Sequence, residues 1–149
     1  MDAAPTLIRW AAGSTAAGLV AGVAYRELTR SFDVVPHTQL SVVHTHLLTL
    51  GTVMFLLFAV IERVFHFSGH RLYRPFLFTY CGGFIVTTAM QFTIGTLQLY
   101  GKSHSAALSG ISGLGHILLT LGFAFFFIAL LNAISEKDAR PVARDSRAS

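Results

Sequence analysis

Seven histidines stand in a chain of 149 residues that has only seven Asp and Glu in total. Imidazole is the side chain suited to ligate haem iron or copper, to relay a proton, or to change charge near neutral pH. Three of the seven, His44, His46 and His116, lie inside long stretches without a charged residue. An ionisable group in such a setting is costly and marks a functional site by default. His37, His66, His70 and His104 border charged or turn-forming segments and read as solvated or interfacial. Cys81 is alone, which excludes an internal disulfide and a cysteine-based metal cluster. There is no phosphate-cradling loop and no internal repeat.

The spacing within His44-Thr45-His46 carries the most information. On an α-helix of about 100° per residue the two rings stand roughly 200° apart, on opposite faces. They cannot chelate one metal together, nor supply both axial ligands to one haem. Either one of them is structural, or the helix partitions two ligand sites. His116 falls about ten residues into its stretch, roughly 15 Å deep at 1.5 Å per residue. It reads equally as a ligand or as a ring that hydrogen-bonds a backbone carbonyl.

The elements that must position these rings are membrane spans. The chain is 53% hydrophobic and 12% charged, with a mean hydropathy of +0.61. A soluble domain carries about 25% charged residues, so that class is excluded. No Asp, Glu, Lys or Arg occurs between Asp33 and Glu62, from Pro75 to Gly101, or from Ser103 to Ser135. Each gap exceeds the ~20 residues needed to cross a hydrocarbon core about 30 Å thick. A fourth apolar stretch precedes them, with Arg9 able to snorkel to the interface. It lacks a clean small-x-small cleavage site and reads as a retained span, not a signal peptide. The spans fall at 6–25, 40–61, 76–99 and 106–134. The fold expected is all-α: one polytopic four-helix transmembrane domain over 1–135, followed by a basic, disordered tail over 136–149.

Orientation follows from the positive charges. Arg9, Arg63, Arg71, Arg74, Lys137, Arg140, Arg144 and Arg147 share one side, eight against Arg26, Arg30 and Lys102 on the other. The positive-inside rule puts both termini in the cytoplasm of a bacterial inner membrane. The pI of 9.7 reflects these flanking charges and implies no nucleic-acid partner. Small residues at Gly18/Gly22 and Ser109/Gly113 predict close helix approaches. Thr87, Thr88, Gln91, Gly95 and Gln98 form a polar stripe on the third span, which must face protein or a cavity.

The stretch His44-Thr45-His46-Leu47-Leu48-Thr49-Leu50-Gly51 resembles the tenth helix of the haem–copper oxidase superfamily, above all of nitric-oxide reductases and C-family oxidases. There a glycine follows five residues after the second His. The third span is similar to the next helix of the reductases, with Met90, Gly95, Gln98 and Tyr100 in comparable order. The resemblance implies that His44 and His46 are axial ligands in two different haem sites, one on each side of the helix. It also implies an oligomer. Catalytic subunits of that superfamily have about twelve spans in three four-helix arcs, and this chain has one arc's worth. A homotrimer would complete the ring, with His44 of one copy and His46 of the next clamping a haem b at each interface. The superfamily's adjacent copper-site histidines and proton-channel acids are missing here.

Bis-His ligation fills both axial positions and suits electron transfer, redox sensing or haem handling. No complete catalytic site is visible; an enzymatic role would be that of a haem-dependent oxidoreductase, with an electron donor or quinol that the sequence does not identify. Two other readings stay open. One is a copper-binding or copper-delivery protein that uses His44, His46 or His116 with the thioether of Met54 or Met90. The other is a cofactor-free accessory subunit.

Overall fold

In the structure, a computed structural model, residues 3–30 and 38–145 are described, the side chains of 140–145 excepted. His37 therefore lies outside the described residues, as do residues 146–149 of the tail. Among the described residues, four helices are long and apolar enough to cross a membrane. We label them α1 (Ala4–Thr29), α2 (Gln39–Phe65), α3 (Tyr73–Leu99) and α4 (Ala106–Asp145). Pro5 in the first turn of α1 starts that helix where a missing N–H costs nothing. Where the loss of apolar character predicts a span ending at 134 and a disordered tail, α4 continues as helix to Asp145.

α2 is not uniform. It opens as a 3₁₀ turn over Gln39–Val42, is α-helical over Val43–His46, is π-helical over Leu47–Val53, and resumes as α-helix from Met54 to Phe65. It stops at His66, the one non-glycine residue with positive φ among those described (φ 53°, ψ 40°). The Glu62 carboxylate, 2% exposed, then accepts hydrogen bonds from the Ser68 N–H (2.9 Å) and the Ser68 hydroxyl. That pairing offsets the cost of burying a charge at the helix end.

α1 packs on α2, α2 on α3, and α3 on α4, each pair antiparallel. α3 is the central member: 44% of its most apolar stretch is buried, against 22–28% for the others. Its fit to α4 depends on glycines. A Cβ at Gly83 would lie 2.6 Å from the Leu119 nitrogen, and one at Gly122 would lie 3.0 Å from Tyr80. Aromatic rings fill the half of the bundle nearer the termini. Phe58 packs edge-on against Phe76 and Tyr80 and also meets Phe126. Phe55 stacks on Trp10 at 5.5 Å. Outward faces are apolar, with Val20, Val60 and Phe78 at least 60% exposed, as lipid-facing positions should be.

Candidate functional site

The half of the bundle away from the termini is more polar, and the histidine pair sits there. A π-helical stretch, Leu47–Val53, follows directly after His46. Such stretches widen a helix and recur at functional sites. This one contains Gly51, where three helices cross. A Cβ at Gly51 would meet Ser14 Cβ of α1 at 2.4 Å and Phe84 Cζ of α3 at 2.9 Å. The Tyr80 hydroxyl of α3 donates to the Leu50 carbonyl at 2.8 Å. The hydroxyls of Thr15 and Thr52 share a hydrogen bond of 2.9 Å across α1 and α2. The glycine five residues beyond the second His is thus the point that locks α2 between its neighbours.

His44 is half-buried and turned to α1, where its Cβ and Cγ lie 3.8 and 3.9 Å from the Cβ position of Gly22. Its Nδ1 is sealed off without a hydrogen-bond partner. His46 stands on the other side, in the stripe of Val42, Thr49, Val53 and Val60, all exposed. Its Nδ1 lies 2.9 Å from the Val42 carbonyl. A carbonyl only accepts, so Nδ1 carries a proton, and in the neutral ring the lone pair is then on Nε2. A backbone carbonyl on one ring nitrogen is the usual support for a histidine that ligates metal through the other. Both rings are half-buried, the His44 ring against α1 and the His46 ring on the other side of α2.

His116 follows the pattern of His46. Its Nδ1 is 3.0 Å from the Ser112 carbonyl, and the side chain is exposed on α4. α4 meets α2 through Phe123 and Phe126 on Phe58, well removed from the histidine pair. Within one chain, then, the three membrane histidines are not gathered. Among the described residues no group of three or more His, Cys, Asp or Glu could hold a metal ion. Met54, one of the two thioethers considered for copper, packs against the aromatic core. Of the remaining histidines, His70 Nδ1 accepts from the Leu72 N–H at 3.2 Å, His66 ends α2, and His104 is half-buried between α3 and α4.

The polar stripe on α3 divides. Thr87 is wholly buried and faces α4, where a Cβ at Gly115 would strike its Oγ1. Gly95 and Gln98 face α2. The Gly95 surface touches the backbone of Leu40, and Gln98 Oε1 accepts from the Gln39 N–H at 2.8 Å. Antiparallel pairing of Gly51 with Phe84 and of Leu40 with Gly95 puts Gln91 at the level of His44. Gln91 is 7% exposed and its Oε1 has no partner. An orphaned acceptor and an orphaned ring nitrogen therefore share one level of the bundle. The sequence marks Gln91 as polar within a span, but its relation to His44 requires the helix register.

Gly18 and Gly22, small residues suited to an oligomer seam, are instead used within the chain. Gly18 receives Leu48 and Leu47, and Gly22 receives His44. Gly113 has nothing within 4 Å and lies on the outward face of α4.

A family model described as "Protein of unknown function (DUF2871)" matches residues 5–133, which take in α1 to α3 and most of α4. No curated protein and no solved structure matches the chain.

Proposed function

The chain belongs to the DUF2871 family, and on that footing we propose that it is a haem b-binding membrane protein that holds its haem between two copies of itself. His46 of one copy and His44 of its neighbour supply the axial imidazoles, and three copies close a twelve-helix ring. Both termini lie in the cytoplasm, in keeping with the eight-to-three distribution of Lys and Arg.

The observation that carries this reading is that the half-buried rings of His44 and His46 sit on opposite sides of one helix turn. His116 shares the Nδ1–carbonyl support of His46 but has no second ring beside it on its helix. His46 is half-buried beside the exposed Val42, Thr49 and Val53, with its Nδ1 held by the Val42 carbonyl. An imidazole held that way in a bilayer needs something to face. Haem iron satisfies it, and bound haem would supply one-electron chemistry. His44 has the complementary need: its Nδ1 lacks an acceptor, and Gln91 Oε1 at its level lacks a donor. A bond between them would leave the His44 Nε2 as a ligand. With both axial positions filled by protein, the function supported best is electron transfer or haem handling. Copper binding draws less support, because Met54, one of its two candidate thioethers, packs against the core and the three membrane histidines are not gathered within one chain.

Mixed oligomers test the shared site. His44→Ala and His46→Ala should each abolish haem binding when expressed alone. Co-expressed, one variant still offers His46 and the other His44, so part of the haem content returns. A co-expressed mixture as empty as the single variants would overturn the sharing of ligands. His116→Ala should retain its haem.

A further inference from the structure

We infer that the groove between α1 and the α2–α3 pair is a binding site for an anionic phospholipid, seated by its phosphate on Arg9. The groove encloses about 430 Å³. Thr6, Arg9 and Trp10 form its end near the termini, and Gly13, Leu47 and Phe84 continue it toward the middle of the bundle.

The walls are carbon, and the groove opens sideways to the space that lipid fills. From residue 6 to residue 17 it runs roughly 16 Å at 1.5 Å per residue, the scale of a lipid chain within one leaflet. Trp10 is stacked on Phe55, so the indole is a fixed wall. Gly13 has no atom within 4 Å of its Cβ position, which keeps the floor open.

Arg9 determines the headgroup. Its side chain is exposed, and among the described residues no carboxylate pairs with it. It lies five residues into a span that begins at Ala4, at interface depth, where a long cationic side chain reaches the phosphate layer. A planar guanidinium binds phosphate in a bidentate fashion. A zwitterionic headgroup brings its own ammonium to compete, whereas a phosphatidylglycerol headgroup leaves the whole negative charge for Arg9.

Trp10 is the only tryptophan in the chain, so its fluorescence reports on this groove alone. The full-length protein is reconstituted in phosphatidylcholine vesicles that carry increasing fractions of acyl-brominated phosphatidylglycerol or acyl-brominated phosphatidylcholine. Taking the ratio of the two quenching curves on one preparation cancels any other quencher. The expected result is several-fold stronger quenching by the anionic lipid at equal mole fraction. Arg9→Gln should bring the two curves together, and Gly13→Leu, which fills the floor, should weaken both. Equal quenching in the unmodified protein would overturn the proposal, as would a preference that survives Arg9→Gln. So would the absence of quenching by either lipid, the outcome if a second copy of the chain covers the groove.

Discussion

Gly51 is where α1, α2 and α3 meet beyond the histidine pair, and replacing it with alanine has a calculable consequence. The added Cβ would sit 2.4 Å from Ser14 Cβ and 2.6 Å from Ser14 Oγ. Carbon atoms pack at about 3.5–4.0 Å, so α1 and α2 must separate by roughly 1 Å or more at their crossing. Turning the Ser14 hydroxyl away leaves its Cβ in place, so no rotamer change relieves the clash. Overpacking of this kind costs about 1–3 kcal/mol, and the gain from alanine over glycine in a helix offsets up to about 1 kcal/mol. The net loss should be about 1–2 kcal/mol, a drop of roughly 3–8 °C in Tm for a chain of this size. Thermal unfolding in detergent, followed by Trp10 fluorescence, measures it directly, since Trp10 stacks on Phe55 one turn away. Ser14→Gly removes the offending atoms, so the double variant should show a coupling of about 1 kcal/mol or more in a double-mutant cycle. Gly13→Ala, with nothing within 4 Å, should be neutral or stabilising. A Gly51→Ala protein as stable as its parent, with no coupling to Ser14, would refute the three-helix crossing.

Further outcomes follow from the same contacts. Gly95→Ala would put a Cβ against the Leu40 backbone and break the Gln39–Gln98 hydrogen bond. Because His44 and His46 hang from that opening turn, haem content in the purified protein should fall along with Tm. Tyr80→Phe removes the bond to the Leu50 carbonyl and should cost about 0.5–1.5 kcal/mol, read as a lower Tm in the same detergent. Gln91→Leu should leave Tm almost unchanged, since the Oε1 it removes has no partner, yet should lower haem retention if Gln91 orients His44. Unaltered retention would remove that residue from the site. Glu62→Ala strips the Ser68 N–H and hydroxyl of their acceptor; the cost of about 1–3 kcal/mol should appear in Tm without any change in haem content.

The spans were legible because hydrocarbon forces them to be: uncharged runs of such length have no other stable state in a membrane. Their ends were less so. α1 runs on past Tyr25 through Arg26 to Thr29, and α4 past Ser135 to Asp145, because a helix does not stop where lipid does. The opposed rings of His44 and His46 could be read from helical angles, since the backbone is α-helical over just those residues. The π-helical stretch that follows could not, because it depends on Ser14 and Phe84 converging on Gly51. The same limit applied to Gly18 and Gly22. A small-residue pair announces a close approach and does not name the partner, which proved to be α2 of the same chain. His116 reads as a ligand or as a ring bonded to a backbone carbonyl; its Nδ1 lies on the Ser112 carbonyl, and helix register, which the sequence does not give, leaves the ring exposed.

The central proposal is that two opposed histidines hold haem between subunits, and absorbance tests it most directly. The protein is purified in detergent after haem-replete expression, and its dithionite-reduced minus oxidised spectrum is recorded beside that of His46→Ala. The parent should show the sharp α band of low-spin, six-coordinate haem b, and the variant should lose it. A parent spectrum with no α band, or an α band that His46→Ala leaves intact, would contradict it.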